Sequence, residues 1–195
     1  MLRMVPFLEC GGGLGACPPF PSRSSRGVMA TALQTPECFD DAPLAARDVA
    51  RGVTRLFFRQ DLFALCEVPL PNGRRADMVA LDAKGCITIV EIKVSRADLL
   101  GDGKWRDYLD YCDRFFWAVP EGFNLSPFET EAFAPEVAGL MVADRYDAAV
   151  LREPSHRPLA GARRKAEVLR FARRAARRLV GDLDPDLMRE AEPLP

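Results

Sequence analysis

RRADMVALDAKGCITIVEIK, residues 74–93, is the stretch that decides the fold. Its apolar positions recur with a period of two rather than 3.6. RRADMVAL (74–81) reads as one strand. A four-residue turn follows, Asp82-Ala83-Lys84-Gly85, and then CITIVEIK (86–93), β-branched and nearly continuous, as a central strand should be. Just upstream, CEVPL (66–70) is a short strand, and Asn72-Gly73 is a strong hairpin signal. Three strands therefore meander.

On the N-terminal side, PLAARDVARGVTRLFFR (43–59) has helical spacing. Pro43 suits the first turn, and Asp40 or Asp41 is placed to cap it. Val49, Val53, Leu56 and Phe57 share a face. Arg47, Arg51, Arg55 and Arg59 form a drifting basic stripe beside it, which serves either as a solvated surface or as a phosphate contact. On the C-terminal side, SRADLLGDGKWRDYLDYCD (95–113) returns to helical spacing, with a break at Gly101–Gly103. RFFWAVP (114–120) is a fourth strand, apolar enough to be buried on both faces. VAGLMVAD (137–144) and AAVLRE (148–153) make a second β pair, and LAGARRKAEVLRFARRAARRLV (159–180) a long helix. The expected order is αβββαβ followed by β-β-α. That is an α/β fold with a mixed central sheet flanked by helices, not a doubly wound parallel one.

The rest of the chain bounds the function. In 195 residues, 48% hydrophobic and 28% charged, one domain can bury a core without staples. Residues 1–40, with CGGGLGACPPFPSRSSRG, have no period and are expected to be disordered or a mis-assigned extension, with translation beginning at Met29. The apolar stretch in MLRMVPFLEC is too short and interrupted for a signal peptide. The folded domain is expected over 41–181, and 182–195 as an acidic, frayed tail. No stretch is long and apolar enough to span a membrane. Six cysteines show no zinc spacing, and Cys66 and Cys86 lie in strands, which points to small buried hydrophobes in a reducing cytoplasm. The single histidine, His156, sits in a Pro-flanked loop, so a multi-histidine zinc enzyme is excluded.

A net charge of −1 conceals a strong asymmetry. Residues 159–180 carry eight basic residues against Glu167 alone, net +7, whereas 121–154 carry seven acidic and two basic, net −5. On a helical projection Val168, Phe171, Ala172, Ala175, Ala176, Leu179 and Val180 form an apolar arc, and most arginines lie opposite. Arginine rather than lysine dominates, which favours bidentate phosphate contact by Arg170, Arg173, Arg174 and Arg177. The competing reading docks them on the acidic segment or tail.

Chemistry concentrates at Asp77 and at Glu91-Ile92-Lys93. Glu91 and Lys93 are two apart and point to one sheet face, and a tight turn brings Asp77 across from Glu91. Two carboxylates beside an ammonium are costly in a core unless a hard divalent cation sits between them. Asp77, Glu91 and the Ile92 carbonyl are thus candidate ligands for Mg²⁺ or Mn²⁺, with Lys93 beside the reacting phosphate. The bland alternative is a cross-strand salt bridge.

A hairpin Asp followed by Glu-x-Lys, after one helix and before another, resembles the PD-(D/E)xK nuclease superfamily, with Arg75-Ala76-Asp77 where a Pro-Asp is common. More closely, EVPLPNGRRADMVAL, IVEIKVSRADLLGDGKWRDYLDYCDRFFWAVP, AGLMVAD and RRKAEVLRFARRAARRL resemble the MmcB family of bacterial DNA-repair proteins. The resemblance implies a restriction-endonuclease-like core and catalytic roles for Asp77, Glu91 and Lys93. It also implies DNA as partner and a cytoplasmic, nucleoid-associated setting. The family's Asp-x-Lys-Trp block matches Asp102-Gly103-Lys104-Trp105, placing Lys104 near the scissile phosphate. Arg75 is expected at the DNA, and Trp105 with Tyr108 either packs or stacks bases. The superfamily's helix-one acid has no clear counterpart, Asp48 and Glu67 being the candidates. The expected activity is metal-dependent DNA endonuclease; the alternatives are a nuclease fold that binds branched or damaged DNA without cutting, and an adaptor using the acidic 121–154 segment. Under the first reading Glu91→Gln abolishes cleavage and leaves melting nearly unchanged.

Overall fold

The computed structural model describes residues 45–100 and 103–190, all within the unit Asp41–Pro195. Pro43, the caps expected at Asp40 or Asp41, the start at Met29, Asp102 and residues 191–195 lie outside the described residues.

Helix α1 (Ala46–Arg59) forms where the sequence repeats apolar residues on one face, and buries Val49, Val53 and Phe57. The Asp48 carboxylate accepts the Ala45 N–H (3.0 Å), satisfying a first-turn donor that would otherwise have no partner. Strand β1 (Leu62–Pro69) begins four residues earlier than expected, directly after Asp61 in the left-handed region at φ 59°. The hairpin to β2 (Arg75–Asp82) closes as Leu70 N–H donates to Arg74 (2.7 Å) and Gly73 N–H to Leu70 (3.0 Å). Gly73 takes φ 78°, which glycine adopts without a Cβ penalty. The next turn repeats this geometry, Gly85 also at φ 78°, with Asp82 Oδ1 accepting the N–H groups of Lys84 and Cys86 at 2.8 Å each.

Strand β3 (Ile87–Ile92), β4 (Arg114–Pro120), β5 (Gly139–Ala143) and β6 (Ala148–Arg152) complete a six-stranded sheet in the order β1-β2-β3-β4-β5-β6. The β3–β4 and β4–β5 pairs are parallel and the other three antiparallel. The mixed α/β sheet and the αβββαβ-ββα order are those expected; the second β pair extends the same sheet.

Two apolar layers cover the sheet. On one face α1 packs Val49, Val53 and Phe57 over Met78, Ala80, Val90, Ile92, Phe116 and Met141. Gly52 lets α1 approach the β5–β6 turn so closely that a Cβ there would stand 2.2 Å from the Asp144 carbonyl oxygen and 2.4 Å from that of Asp147. The other face is an aromatic cluster of Trp105, Tyr108, Phe115, Trp117, Phe128 and Phe133. Its lid corrects the reading of 95–113 as one interrupted helix: α2 (Arg96–Leu100) is one short helix, and Trp105–Tyr111 is a 3₁₀ helix. Trp105, Tyr108 and Tyr111 recur every three residues, the period at which 3₁₀ side chains eclipse, so all three enter the core. Trp105 and Tyr108 therefore pack: Trp105 Nε1–H donates to the Ala132 carbonyl (3.2 Å) and the Tyr108 hydroxyl to that of Arg75 (3.1 Å).

Asp113 ties these parts together. Its buried carboxylate receives both guanidinium N–H groups of Arg164 (2.7 and 2.6 Å) and the N–H groups of Ile87 and Leu159 (2.8 Å each). It anchors the start of helix α3 (Gly161–Leu183) to the base of β3 and β4. Only the N-terminal half of α3 meets the core, through Val168 and Phe171. Leu179 and Val180 are exposed, which corrects the expected continuous apolar arc. Where a frayed tail was expected from 182, α3 continues to Leu183 and a further helix, α4, spans Pro185–Glu190.

Candidate functional site at the end of β2 and β3

Regular pairing of β2 with β3 stops at Met78↔Val90. Beyond it, side chains replace ladder bonds. Asp77 Oδ2 accepts the Ile92 N–H (2.7 Å), and Glu91 Oε1 accepts the Asp77 N–H (3.2 Å). Each carboxylate thus satisfies a backbone donor that the splayed strands would leave unpaired. Lys93 Nζ lies 3.7 Å from Glu91 Oε2, 3.9 Å from Asp98 Oδ1 and 5.8 Å from the centre of the Trp117 ring. The structure brings Asp77, Glu91, Ile92 and Lys93 together, but in different settings. Glu91 and Lys93 are 3% and 5% exposed, enclosed on the aromatic side of the sheet. Asp77 and Ile92 line a cleft of about 500 Å³ whose wall is α1, with Arg47, Arg51 and Arg55.

Burial pushes the Asp77 carboxyl above the ordinary carboxylate range, while the Ile92 N–H and the Lys93 ammonium oppose it and Glu67 adds to the rise. A carboxyl penalised in its charged form is one that a bound cation stabilises. Asp77 at the cleft and Glu91 behind it are the oxygen donors that would hold a hard divalent cation such as Mg²⁺ or Mn²⁺. No cluster of three or more His, Cys, Asp or Glu side chains is gathered for a metal among the described residues. Of the two candidates for the helix-one acid, Glu67 lines the Asp77 cleft, in the left-handed region at φ 54° and paired with Arg75 (2.6 Å). Asp48 is turned to Ala45 and Arg145.

The remaining expected contacts are distributed around this site. Arg75 is exposed on β2 beside Glu67, and Lys104 is exposed at the start of the 3₁₀ helix, outside the cleft lining. Arg170, Arg173 and Arg174 line a second cavity, about 460 Å³, against the hairpin tip Pro69-Leu70-Pro71. Arg170 also pairs with buried Glu167 (2.8 Å). Arg178 donates to the carbonyls of Cys66 and Glu67, reaching the strand that borders the Asp77 cleft. Burial, and the neighbouring Arg170, Arg178 and Arg177, lower the pKa of Arg174. Sequence reasoning counted Arg164 only as one of the eight basic residues of 159–180, whereas it is held by Asp113. It also left undecided the α1 arginines that wall the Asp77 cleft; their four-residue spacing beside an apolar face was the available signal.

The family model described as DNA repair protein MmcB-like matches residues 37–186. A solved structure, that of the SPO1766 protein of unknown function from Silicibacter pomeroyi, is 41% identical, with a TM-score of 0.65, over 72% of this chain and 92% of that one. Among curated proteins no sequence matches. No helix among the described residues is long and apolar enough to cross a membrane. With the family model spanning the whole sheet, the forked β2–β3 end and most of the terminal helices, the chain belongs to the MmcB-like DNA repair family.

Proposed function

We infer that the protein hydrolyses DNA phosphodiesters with the help of a divalent cation held by Asp77 and Glu91. The observation that carries the reading is the forked end of β2 and β3, where Asp77 lines a cleft walled by arginines and its N–H is held by Glu91, which in turn lies against Lys93. Bound there, Mg²⁺ or Mn²⁺ would acidify a water and neutralise charge on a phosphoryl oxygen. Arg47, Arg51 and Arg55 orient the phosphate backbone along the cleft, and Lys93, 3.7 Å from Glu91 Oε2, supplies the counter-charge to that carboxylate.

The enclosure of Glu91 and Lys93 changes which variant tests this. Glu91→Gln weakens a buried ion pair and is expected to lower stability, contrary to the near-unchanged melting expected from sequence. Asp77→Asn is cleaner, because the amide oxygen keeps the Ile92 N–H bond. Asp77→Asn is expected to reduce cleavage by roughly a hundredfold or more in a screen of single-stranded, nicked, flapped and branched DNA with Mn²⁺. Equal cleavage by Asp77→Asn and wild-type protein would sink the assigned site.

The second reading, a nuclease fold that binds DNA without cutting it, is favoured by the same enclosure and by the two-carboxylate set. Tight binding by the wild-type protein with no cleavage of any substrate in the screen would establish it instead. Both readings give the α3 arginines to phosphates. Changing Arg173 and Arg174 together to Gln should weaken binding to all sequences alike and flatten the salt slope by about 0.9 for each lost phosphate. Melting should hold or rise, because burial and the neighbouring arginines both penalise the charge of Arg174. A fall in melting temperature with unchanged DNA affinity would make these arginines structural.

A further inference from the structure

Two large aromatic side chains stand in solvent at the end of α1. Phe58 is 69% exposed and Phe63 55%, their ring centres 6.0 Å apart at an interplanar angle of 88°. Neither belongs to the buried layers that hold the sheet. Edge-to-face packing occupies the face of one ring only, so a flat apolar face remains open.

Their position matters more than their exposure. At ~100° per residue, Arg47, Arg51, Thr54 and Phe58 fall in one narrow row on α1, opposite the buried face of Val49 and Val53. Thr54 lines the Asp77 cleft, and Phe58 follows it one turn later. Arg47, Arg51 and Arg55 have no ion-pair or hydrogen-bond partner among the described residues, whereas Arg59, next in the stripe, pairs with Asp147. Arg47, Arg51 and Arg55, successive ones about 6 Å apart along the axis, thus lead from the cleft to an exposed aromatic pair.

An anionic polymer with flat apolar groups matches this row: the guanidiniums meet phosphates and the rings meet bases. In a duplex the base faces are buried in the stack; in a single strand they are free. We propose that α1 carries a single-strand binding track, in which DNA runs along Arg47, Arg51 and Arg55 and stacks a base on the Phe58–Phe63 pair. The substrate that reaches Asp77 is then an unpaired strand or the unpaired arm of a branched DNA. This deepens the hydrolysis reading and shares its cleft, yet binding is measured without catalysis.

The test is anisotropy of a labelled oligothymidine strand and of a blunt duplex of equal length, in EDTA, with the full chain. Wild-type protein is expected to prefer the strand by at least tenfold. Phe58→Ala with Phe63→Ala, both at exposed positions, should lose on the order of tenfold in strand affinity and keep duplex affinity and salt slope. Arg47→Gln with Arg51→Gln should weaken strand binding and flatten its salt slope. Equal wild-type affinity for duplex and strand overturns the proposal. So does unchanged strand affinity in the aromatic variant, including the case where light scattering shows that it loses self-association instead. Strand preference without cleavage removes only the hydrolysis reading; cleavage without strand preference removes only the track.

Discussion

Asp113→Ala is expected to lower the stability of the domain by about 3–5 kcal/mol, a large share of the ~5–15 kcal/mol that holds such a domain folded. The substitution leaves the Arg164 guanidinium against the Gly85 carbonyl without its counter-charge, and strips the Ile87 and Leu159 N–H groups of their acceptor. The start of α3 and the β2–β3 turn then lose their shared anchor. Burial opposes ionisation of Asp113, but Arg164 and the two N–H groups outweigh it and hold the carboxyl below the ordinary carboxylate range. Its contribution is therefore complete above about pH 3.9 and lost as pH falls through the lower folded value. Urea unfolding across acidic pH checks both points. Wild-type protein should weaken steeply below about pH 4, and Asp113→Asn, already weaker at neutral pH, should show a shallower acid limb. Equal stability of Asp113→Ala and wild type would show the hub to be dispensable.

Gly52→Ala is expected to cost about 3 kcal/mol or more and to disturb the cleft. The new methyl meets main-chain oxygens of Asp144 and Asp147, which cannot turn aside as a side chain can. Helix α1 must lift from the β5–β6 turn, carrying its arginines with it. A fall in melting temperature on the order of 10 °C is expected, together with weaker DNA binding. Gly73→Ala serves as the comparison: nothing lies within 4 Å of the added Cβ, so only the positive φ is penalised, about 1 kcal/mol. If Gly52→Ala melts no lower than Gly73→Ala, the close approach of α1 is not as described.

The strands were legible because their signals are local. Asn72-Gly73 and Asp82-Ala83-Lys84-Gly85 locate both turns within a residue, and β-branched residues mark β3. The first half of β1 was hidden, since Leu62-Phe63-Ala64-Leu65 follows an apolar helix with no Gly or Pro between. The 3₁₀ helix was read as α because aromatic spacings of three suit both periods over so short a run. Asp77, Glu91 and Lys93 could be named from the hairpin register, but their burial could not. It depends on Trp117 and on the 3₁₀ lid, neither of which lies in the motif. Likewise the Asp113–Arg164 pair joins residues 51 positions apart, beyond any periodicity. The end of α3 overhangs the sheet because the core stops at Phe171, and an apolar arc drawn on the helix alone carries no information about how wide the sheet beneath it is.

The splayed end of β2 and β3 bears on how this family ages. Asp77 and Glu91 fasten that end whether or not any phosphodiester is ever cut, so a descendant that abandoned catalysis would still be selected to keep both for the sake of folding. The motif is a conservative witness. Drift would register first at Arg47, Arg51 and Arg55, which line the cleft without holding the fold through any hydrogen bond or ion pair among the described residues, and a lineage that kept the acids while scattering those three arginines would have kept the fold and lost the proposed contacts with DNA.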